Sequence, residues 1–170
     1  IRSNDRDLGY PEIVQPTPST IGQSSITTSD PVTVRANIQH DAYCRFVNWT
    51  IEGEVVGTDP DSYTYEGVAP ATITANFVET CMVSVSSSDV NMGTATMSVS
   101  KSVVDKNAEV TFTATANEGY KFVRWTNQNG QLVSEEPSYT TAITSHTQLI
   151  AEFAQKTTYN VVVHEGTAKV

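Results

Sequence analysis

Three histidines are the side chains of this 170-residue sequence best suited to moving a proton near neutral pH. They are His40, His146 and His164. No Cys–His pairing and no Ser in a Gly-x-Ser-x-Gly turn supports nucleophilic catalysis. We therefore expect no catalytic residues and a protein that is not an enzyme.

Two acidic residues are the best candidates for a cation site. Asp59 and Asp61 flank Pro60, and both could offer carboxylate oxygens to Ca²⁺. Calcium takes six to eight oxygen ligands, which is more than this loop supplies unless a neighbour helps. We favour a solvated loop, and expect neither a metal nor a cofactor.

The two cysteines do not form a zinc motif. Cys44 and Cys81 have no CxxC partner and no neighbouring His cluster. They could form one disulfide, or remain as two buried or half-buried thiols. We favour the thiols, and the cysteine count does not decide the compartment.

The charge balance and the lack of a long apolar run argue against two classes of partner, nucleic acid and membrane. The formal net charge is −9, and the 10 Lys and Arg residues are scattered. Nucleic-acid binding needs clustered cations, so we expect no nucleic-acid partner. No apolar run approaches 18 residues, so we expect no membrane span in this segment. The acidic excess is best explained as an aid to solubility.

The composition favours strands strongly. Val occurs 21 times and Leu only three times, while Thr and Ser together supply 40 residues. Val and Thr are β-branched, which suits a pleated strand and penalises a helix. A helical bundle is excluded, and the 38% of hydrophobic residues are enough for a β-rich core.

The chain repeats itself with a period of 76 residues, which is its most informative feature. Both Trp residues and four of the five Phe fall on equivalents at this offset. The matches are Phe46-Val47-x-Trp49-Thr50 on Phe122-Val123-x-Trp125-Thr126, Ser62-Tyr63-Thr64 on Ser138-Tyr139-Thr140, Ala75-x-Phe77 on Ala151-x-Phe153, and Val34 on Val110. Length differences between the copies fall in Gly-containing turns, which a fixed scaffold tolerates.

Each copy reads as a series of short strands. Val110, Phe112 and Ala114 alternate with polar residues at period two, so one face of that strand is buried. The aromatic strand carries large apolar groups on both faces, at Phe122 and at Trp125. We therefore predict that this strand is central or bent by a bulge.

The aromatic repeat residues have two interpretations. Trp49 and Trp125 could be sugar-stacking platforms or core residues, and their shared position beside Phe-Val favours the core. The predicted structural core of the repeats consists of Phe46, Trp49, Tyr63, Phe77, Tyr120, Phe122, Trp125, Tyr139 and Phe153.

The repeat also predicts the organisation of the chain. Pro11, Pro16 and Pro18 make residues 1–25 an atypical terminal segment or a degenerate hairpin. Residues 26–79 form repeat unit 1, and residues 80–156 form repeat unit 2. Residues 157–170 are either the opening hairpin of a third repeat or a hairpin that completes unit 2.

These motifs resemble a known bacterial family. The run from Asn117 to Trp125, followed by Leu149-Ile150-Ala151-Glu152-Phe153, is similar to the divergent internalin B-type repeat. That family shows a Gly-Tyr-x-Phe-x-Gly-Trp strand and a closing Thr-Leu-x-Ala-x-Phe strand. The similarity covers residues 81–154 well and residues 26–78 more loosely, with Asn48 and Arg124 where the family often has Gly.

The resemblance implies a function as well as a fold. Such repeats occur in tandem in secreted or surface-anchored bacterial proteins, as spacers or adhesion modules. Their fold is β-rich and similar to a compact β-grasp, and the family offers no catalytic residues to carry over. The resemblance therefore implies an extracytoplasmic location, at the cell surface or secreted.

Together these observations predict an all-β fold of tandem antiparallel repeat units with at most a short helical turn. The leading hypothesis is a monomeric, non-enzymatic spacer or adhesion module whose partner is a host or microbial surface protein or a glycan. The alternative is a carbohydrate- or ligand-binding module of a larger extracellular enzyme, using an exposed aromatic such as Tyr65.

Overall fold

The computed structural model describes residues 1–16, 24–39, 43–67 and 69–158. These residues form β-strands without a helix, which confirms the predicted all-β fold, and no helix able to cross a membrane occurs among them. The strands are β1 (Arg2–Ser3), β2 (Gly9–Gln15), β3 (Val32–Ile38), β4 (Cys44–Ile51), β5 (Glu54–Gly57), β6 (Tyr63–Tyr65), β7 (Ile73–Ser87), β8 (Gly93–Met97), β9 (Val103–Asp105), β10 (Glu109–Ala116), β11 (Tyr120–Asn127), β12 (Leu132–Ser134), β13 (Ser138–Ala142) and β14 (Thr147–Gln155).

The strands cluster into two compact units. Unit 1 consists of Ile1–Val83, Lys101–Glu109 and Ala142–Thr147. Unit 2 consists of Ser84–Ser100, Val110–Thr141 and the chain from Gln148 onward. The units therefore differ from simple sequence repeats, because residues 80–83 and two further segments of the second repeat, 101–109 and 142–147, cluster with unit 1. Of the residues predicted to form a final hairpin, 159–170 lie outside the described part of the chain.

Unit 1 is built from two sheets. In the first, β4 lies between β5 and β7 with antiparallel pairing, while β1 runs parallel to β7 and β9 runs antiparallel to it. In the second, β3 lies between β2 and β6. Buried side chains of both sheets form one core, with Trp49 and Val34 completely buried in it.

Unit 2 repeats this pairing scheme. Here β11 lies between β12 and β14, and β10 lies between β13 and β8. Trp125, Phe112 and Val110 are completely buried. The strands β4 and β11 thus hold equivalent central places, each flanked by a short hairpin partner and a long closing strand.

The aromatic strand is both central and bulged, as its two apolar faces predict. The register between β4 and β7 shifts between Phe46 and Asn48. The register between β11 and β14 shifts at the equivalent place, between Phe122 and Arg124. The extra residue in each strand reverses the alternation, so that Phe and Trp can both face the core although three positions separate them.

Each tryptophan is fixed by one hydrogen bond from its indole. Trp49 Nε1 donates to the Asp59 carbonyl oxygen at 2.8 Å, and Trp125 Nε1 donates to the Glu136 carbonyl oxygen at 3.0 Å. Burying an indole removes about 200 Å² from water, which stabilises the fold by about 5 kcal/mol. Such a bond is needed because a buried N–H without an acceptor would offset part of this gain.

The two copies do not keep one offset throughout. In unit 1 the hydroxyls of Thr33 and Thr64 lie 2.9 Å apart, and in unit 2 those of Thr111 and Thr140 lie 2.8 Å apart. Thr64 and Thr140 are separated by 76 positions, whereas Thr33 and Thr111 are separated by 78.

The match of Val34 with Val110 is therefore wrong, because the hydrogen bonds make Val34 the equivalent of Phe112. Both Val residues are nevertheless completely buried. A shift of two residues preserves the face of a strand, so the alternating pattern could not reveal it. The two additional residues of the first copy lie between β3 and β4.

The N-terminal segment contains the equivalent of the hairpin strand β8. In both copies a glycine opens the strand, and its amide donates to an aspartate carbonyl four residues earlier at 3.2 Å, from Gly9 to Asp5 and from Gly93 to Asp89. A Cβ on either glycine would lie 2.6 Å or less from a phenylalanine ring. The close approach of this ring explains why the position is glycine in both copies.

Candidate functional site

Residues 101–109, called the strap from here on, pair with the edge of unit 1. Within the strap, β9 pairs antiparallel with β7 over Thr80, Cys81 and Met82. Backbone bonds continue at both ends, from Val83 to Ser102 and from Lys106 to Glu79, each at 2.8 Å. Five successive residues of β7, from Glu79 to Val83, thereby gain a partner strand that the second sequence repeat supplies.

An ion pair fastens the strap to β4. Arg45 Nε lies 2.7 Å from Asp105 Oδ1, and Arg45 Nη2 lies 2.6 Å from Asp105 Oδ2. The guanidinium therefore donates a hydrogen bond to each carboxylate oxygen. These hydrogen bonds lower the pKa of Asp105 and raise the pKa of Arg45. Both side chains remain partly exposed, at 50% and 39%, so the pair stabilises the contact by about 1 kcal/mol or less.

A second ion pair lies next to the first. Lys106 Nζ binds Glu79 Oε2, and this hydrogen bond raises the pKa of Lys106. The Lys106 amide also donates to the Glu79 carbonyl oxygen, so both the side chain and the backbone of the residue hold the strap.

Residues 142–147 form the other segment of the second repeat that belongs to unit 1. Ile143 is 1% exposed, and its backbone is bonded on both sides. Its amide donates to the Ala108 carbonyl oxygen at 2.9 Å, and its carbonyl oxygen accepts from the Asn107 amide at 2.8 Å. Asn107 adopts a φ of 70°, a left-handed conformation that asparagine tolerates well.

His146 belongs to this segment and is held in a defined orientation. Its Nδ1 accepts a hydrogen bond from the Met82 amide at 2.9 Å. A ring nitrogen that accepts carries no proton, so the neutral imidazole has its proton on Nε2. The ring lies against Tyr43, with 5.1 Å between the ring centroids and 33° between the planes.

Tyr43 and His146 lie at a cleft of about 420 Å³ within unit 1. Tyr43 is 53% exposed, so much of its side chain is accessible to a ligand. Charged and hydroxyl groups share the lining, namely those of Asp7, Glu79, Lys106 and Ser145. An exposed aromatic ring with polar groups around it suits a ligand that has both an apolar face and hydroxyls.

Two titratable side chains of the cleft already have hydrogen-bond partners within unit 1. The Nδ1 lone pair of His146 is taken by the Met82 amide, and the Glu79 carboxylate is paired with Lys106. Over the described part of the chain, no three His, Cys, Asp or Glu residues approach closely enough to hold a metal ion.

The two aspartates considered for calcium lie in a turn beside Trp49. Asp59 Oδ1 accepts from the Asp61 amide at 2.9 Å, and the Asp59 carbonyl oxygen accepts from the Trp49 indole. One carboxylate oxygen and the carbonyl therefore serve the local fold. His40 and His164 lie outside the described residues.

The aromatic residues of the repeat divide into buried and half-buried positions. Trp49 and Trp125 are fully buried, and Phe46, Phe77 and Phe153 are 9% exposed or less. The remaining four are half-buried, namely Tyr63, Tyr120, Phe122 and Tyr139. Tyr63 stacks on Trp49 with 6.4 Å between centroids, and desolvation raises the pKa of its hydroxyl.

Tyr65 is half-buried, and it is less open to a ligand than Tyr43. Its hydroxyl donates to the Ala69 carbonyl oxygen at 2.7 Å, at a second cavity of unit 1 of about 540 Å³. The cysteines are also inaccessible, since Cys44 and Cys81 form no disulfide and are 5% exposed each. The Cys44 thiol donates to the Leu8 carbonyl oxygen at 3.2 Å.

Sequence reasoning did not identify the residues that shape this site. Arg45, Asp105 and Lys106 carry no motif, and the partners Arg45 and Asp105 are 60 positions apart. The available signal was the short apolar pair Val103-Val104 between polar residues, which is typical of an edge strand.

Comparison with protein families matches a part of the chain. The family model of the divergent InlB B-repeat domain matches residues 83–157. Comparisons with curated proteins and with solved structures give no significant match. The matched range contains most of unit 2 together with the strap and the 142–147 segment of unit 1.

Proposed function

We propose that this chain is a non-enzymatic repeat module of a bacterial cell-surface or secreted protein, acting as a spacer or adhesion region. The observation that carries the proposal is the match of residues 83–157 to the divergent InlB B-repeat domain. The same match supports an extracytoplasmic location, since such repeats occur in bacterial surface proteins.

The repetition of the chain supports two tandem copies of one module. The same indole-to-carbonyl bond, the same paired threonine hydroxyls and the same strand bulge occur in both units. These shared features are structural, and a spacer or adhesion region needs a repeated scaffold more than a reaction centre.

Surface exposure in the producing bacterium tests the proposed location. An antibody raised against the chain should label intact cells or detect the protein in the culture medium. Protease added to intact cells should remove the cell-bound signal. Labelling only after the cells are lysed would contradict the proposal. A cytoplasmic protein detected in parallel controls for lysis.

Carbohydrate binding is the second candidate function, and Tyr43 is the observation that favours it. A sugar ring could stack on the exposed face of Tyr43, while Asp7, Lys106 and Ser145 offer polar partners to its hydroxyls.

A glycan array tests this candidate with matched variants. Binding should be lost in Tyr43→Ala and kept in Tyr10→Ala, because Tyr10 is similarly exposed at 49% but lies in β2 away from the cleft residues. Equal binding by both variants would exclude the cleft, and absence of any bound glycan would leave the spacer or adhesion role as the better account.

A further inference from the structure

Unit 2 has an edge that is equivalent to the edge covered by the strap in unit 1. At an offset of 76, Thr80–Met82 corresponds to Lys156–Thr158. The two places share a backbone bond, because the Thr80 amide donates to the Tyr43 carbonyl oxygen at 2.7 Å and the Lys156 amide donates to the Gly119 carbonyl oxygen at 2.8 Å. The chain is therefore held in the same way on its inner side in both units.

The outer side differs between the two units. In unit 1, β7 continues as a strand through residues 80–82, where β9 provides its partners. In unit 2, β14 ends at Gln155, and residues 155–158 are all exposed. Within the described part of the chain, no strand pairs with residues 156–158. Residues 155–158 are called the open edge below.

The cation that fastens the strap has an equivalent beside the open edge. Lys121 occupies the position of Arg45, at an offset of 76, and it is exposed. Among the described residues, Lys121 makes no ion pair. Lys156 adds a second positive charge on the open edge itself, so an incoming strand with a carboxylate fits this place.

We propose that the open edge of unit 2 receives the strap of another copy of this repeat by strand addition. The incoming segment resembles Ser-Val-Val-Asp-Lys, as in residues 102–106. In the register of unit 1, where Thr80 faces Asp105, the incoming aspartate lies opposite Lys156 and on the side of Lys121. Backbone bonds supply the affinity, and the charge selects the register.

The strap fits this edge better than an unrelated partner does. A strand that adds to an edge needs extended backbone, and its side chains must match the local charges. The strap meets both needs in unit 1, where it pairs over three residues and places a carboxylate against the equivalent cation. The inference does not rest on a cell-surface role, so its failure would leave that role standing.

The test uses the full 170-residue chain labelled with ¹⁵N and a synthetic peptide with the sequence of residues 101–109. We expect saturable shifts of the amide signals of Gln155, Lys156, Thr157 and Thr158, while Thr80–Met82 stay unchanged because their own strap covers them. Lys121→Ala should weaken binding by up to about fivefold, the factor that an exposed ion pair supports.

A charge exchange separates the specific register from general attraction. Lys121→Glu should abolish the shifts caused by the native peptide, and a peptide with Asp105→Lys should restore them on the double variant Lys121→Glu/Lys156→Thr, in which Thr replaces the like charge opposite position 105. Arg6→Glu changes an exposed cation elsewhere in the chain and should leave binding intact. The amide spectrum of each variant also reports whether it remains folded.

Three results would overturn the inference. The first is the absence of shifts at the open edge with millimolar peptide. The second is equal binding by Lys121→Glu and the unchanged chain. The third is a response confined to Thr80–Met82, which would mean that the peptide only displaces the strap of unit 1.

Discussion

Arg45 and Asp105 form a bidentate ion pair across unit 1, although 60 positions separate them in the chain. Asp105 belongs to the strap, so this contact joins a strand of the first sequence repeat to a segment of the second. The pair also makes the attachment of the strap sensitive to acid, because the Arg45 guanidinium lowers the pKa of Asp105.

Acidification should weaken unit 1 through Asp105. A carboxyl group whose pKa is lower in the folded state stabilises the fold above its unfolded pKa, and this contribution is lost as the pH falls through the folded pKa. We expect Asp105→Asn to reduce the free energy of unfolding by about 1 kcal/mol or less at pH 7, since the pair is partly exposed.

Urea denaturation at pH 7 and at a pH below the usual aspartate range measures this effect. The difference between Asp105→Asn and the unchanged chain should shrink at the lower pH. Asp30→Asn, which alters an exposed aspartate near β3, serves as the control and should show no such convergence. A constant difference at both pH values would show that the charge of Asp105 is not responsible.

Replacing either tryptophan by phenylalanine should destabilise its unit. It should also allow the unfolding of the other unit to be followed by tryptophan fluorescence. Trp49→Phe leaves the Asp59 carbonyl oxygen without its indole donor, and Trp125→Phe does the same to Glu136. We expect a loss of about 1–3 kcal/mol in each case. Since the chain has two Trp residues, the fluorescence of each variant during urea unfolding reports the unit that keeps its indole.

Gly93 should not tolerate a methyl group. An added Cβ would lie 2.5 Å from the Phe153 ring and 2.7 Å from the Thr115 carbonyl oxygen. We expect Gly93→Ala to cost about 1–3 kcal/mol through overpacking. Thermal unfolding should show partial recovery in the double variant Gly93→Ala/Phe153→Leu. Strictly additive losses would mean that the ring is not the obstacle.

His146 should protect one backbone amide from exchange. The Met82 amide donates to His146 Nδ1, so His146→Ala should accelerate hydrogen exchange at Met82. The Thr80 amide donates to the Tyr43 carbonyl oxygen instead and should keep its protection, which makes it an internal control. Unchanged exchange at Met82 would mean that another acceptor replaces the imidazole.

Local patterns in the sequence were sufficient to predict the aromatic strands. Large apolar groups on both faces of the segment around Phe122 and Trp125 required a bulge or a central place, and the strand has both. The offset between β3 and β10 was predicted as 76 residues, whereas the structure shows 78. The sequence could not reveal this difference, because Val34 and Val110 face the core in either alignment.

The candidate site was not predictable in the same way. Arg45 and Asp105 meet only because β9 pairs with β7, and that pairing joins segments that are distant in sequence. Periodicity reports which face of a strand is buried, but it does not report which strand lies alongside. The strap has only three strand residues, too few for a clear period.

The assignment of the strap to unit 1 bears on how copy number can change in a gene of this kind. Duplication or deletion of one whole period keeps β7 matched to the strap, because this edge and its strap are inherited with a fixed spacing. A breakpoint between Met82 and Val103 separates β7 from its partner and removes the counter-ion of Arg45. Recombination in whole periods is therefore the route that preserves folded modules.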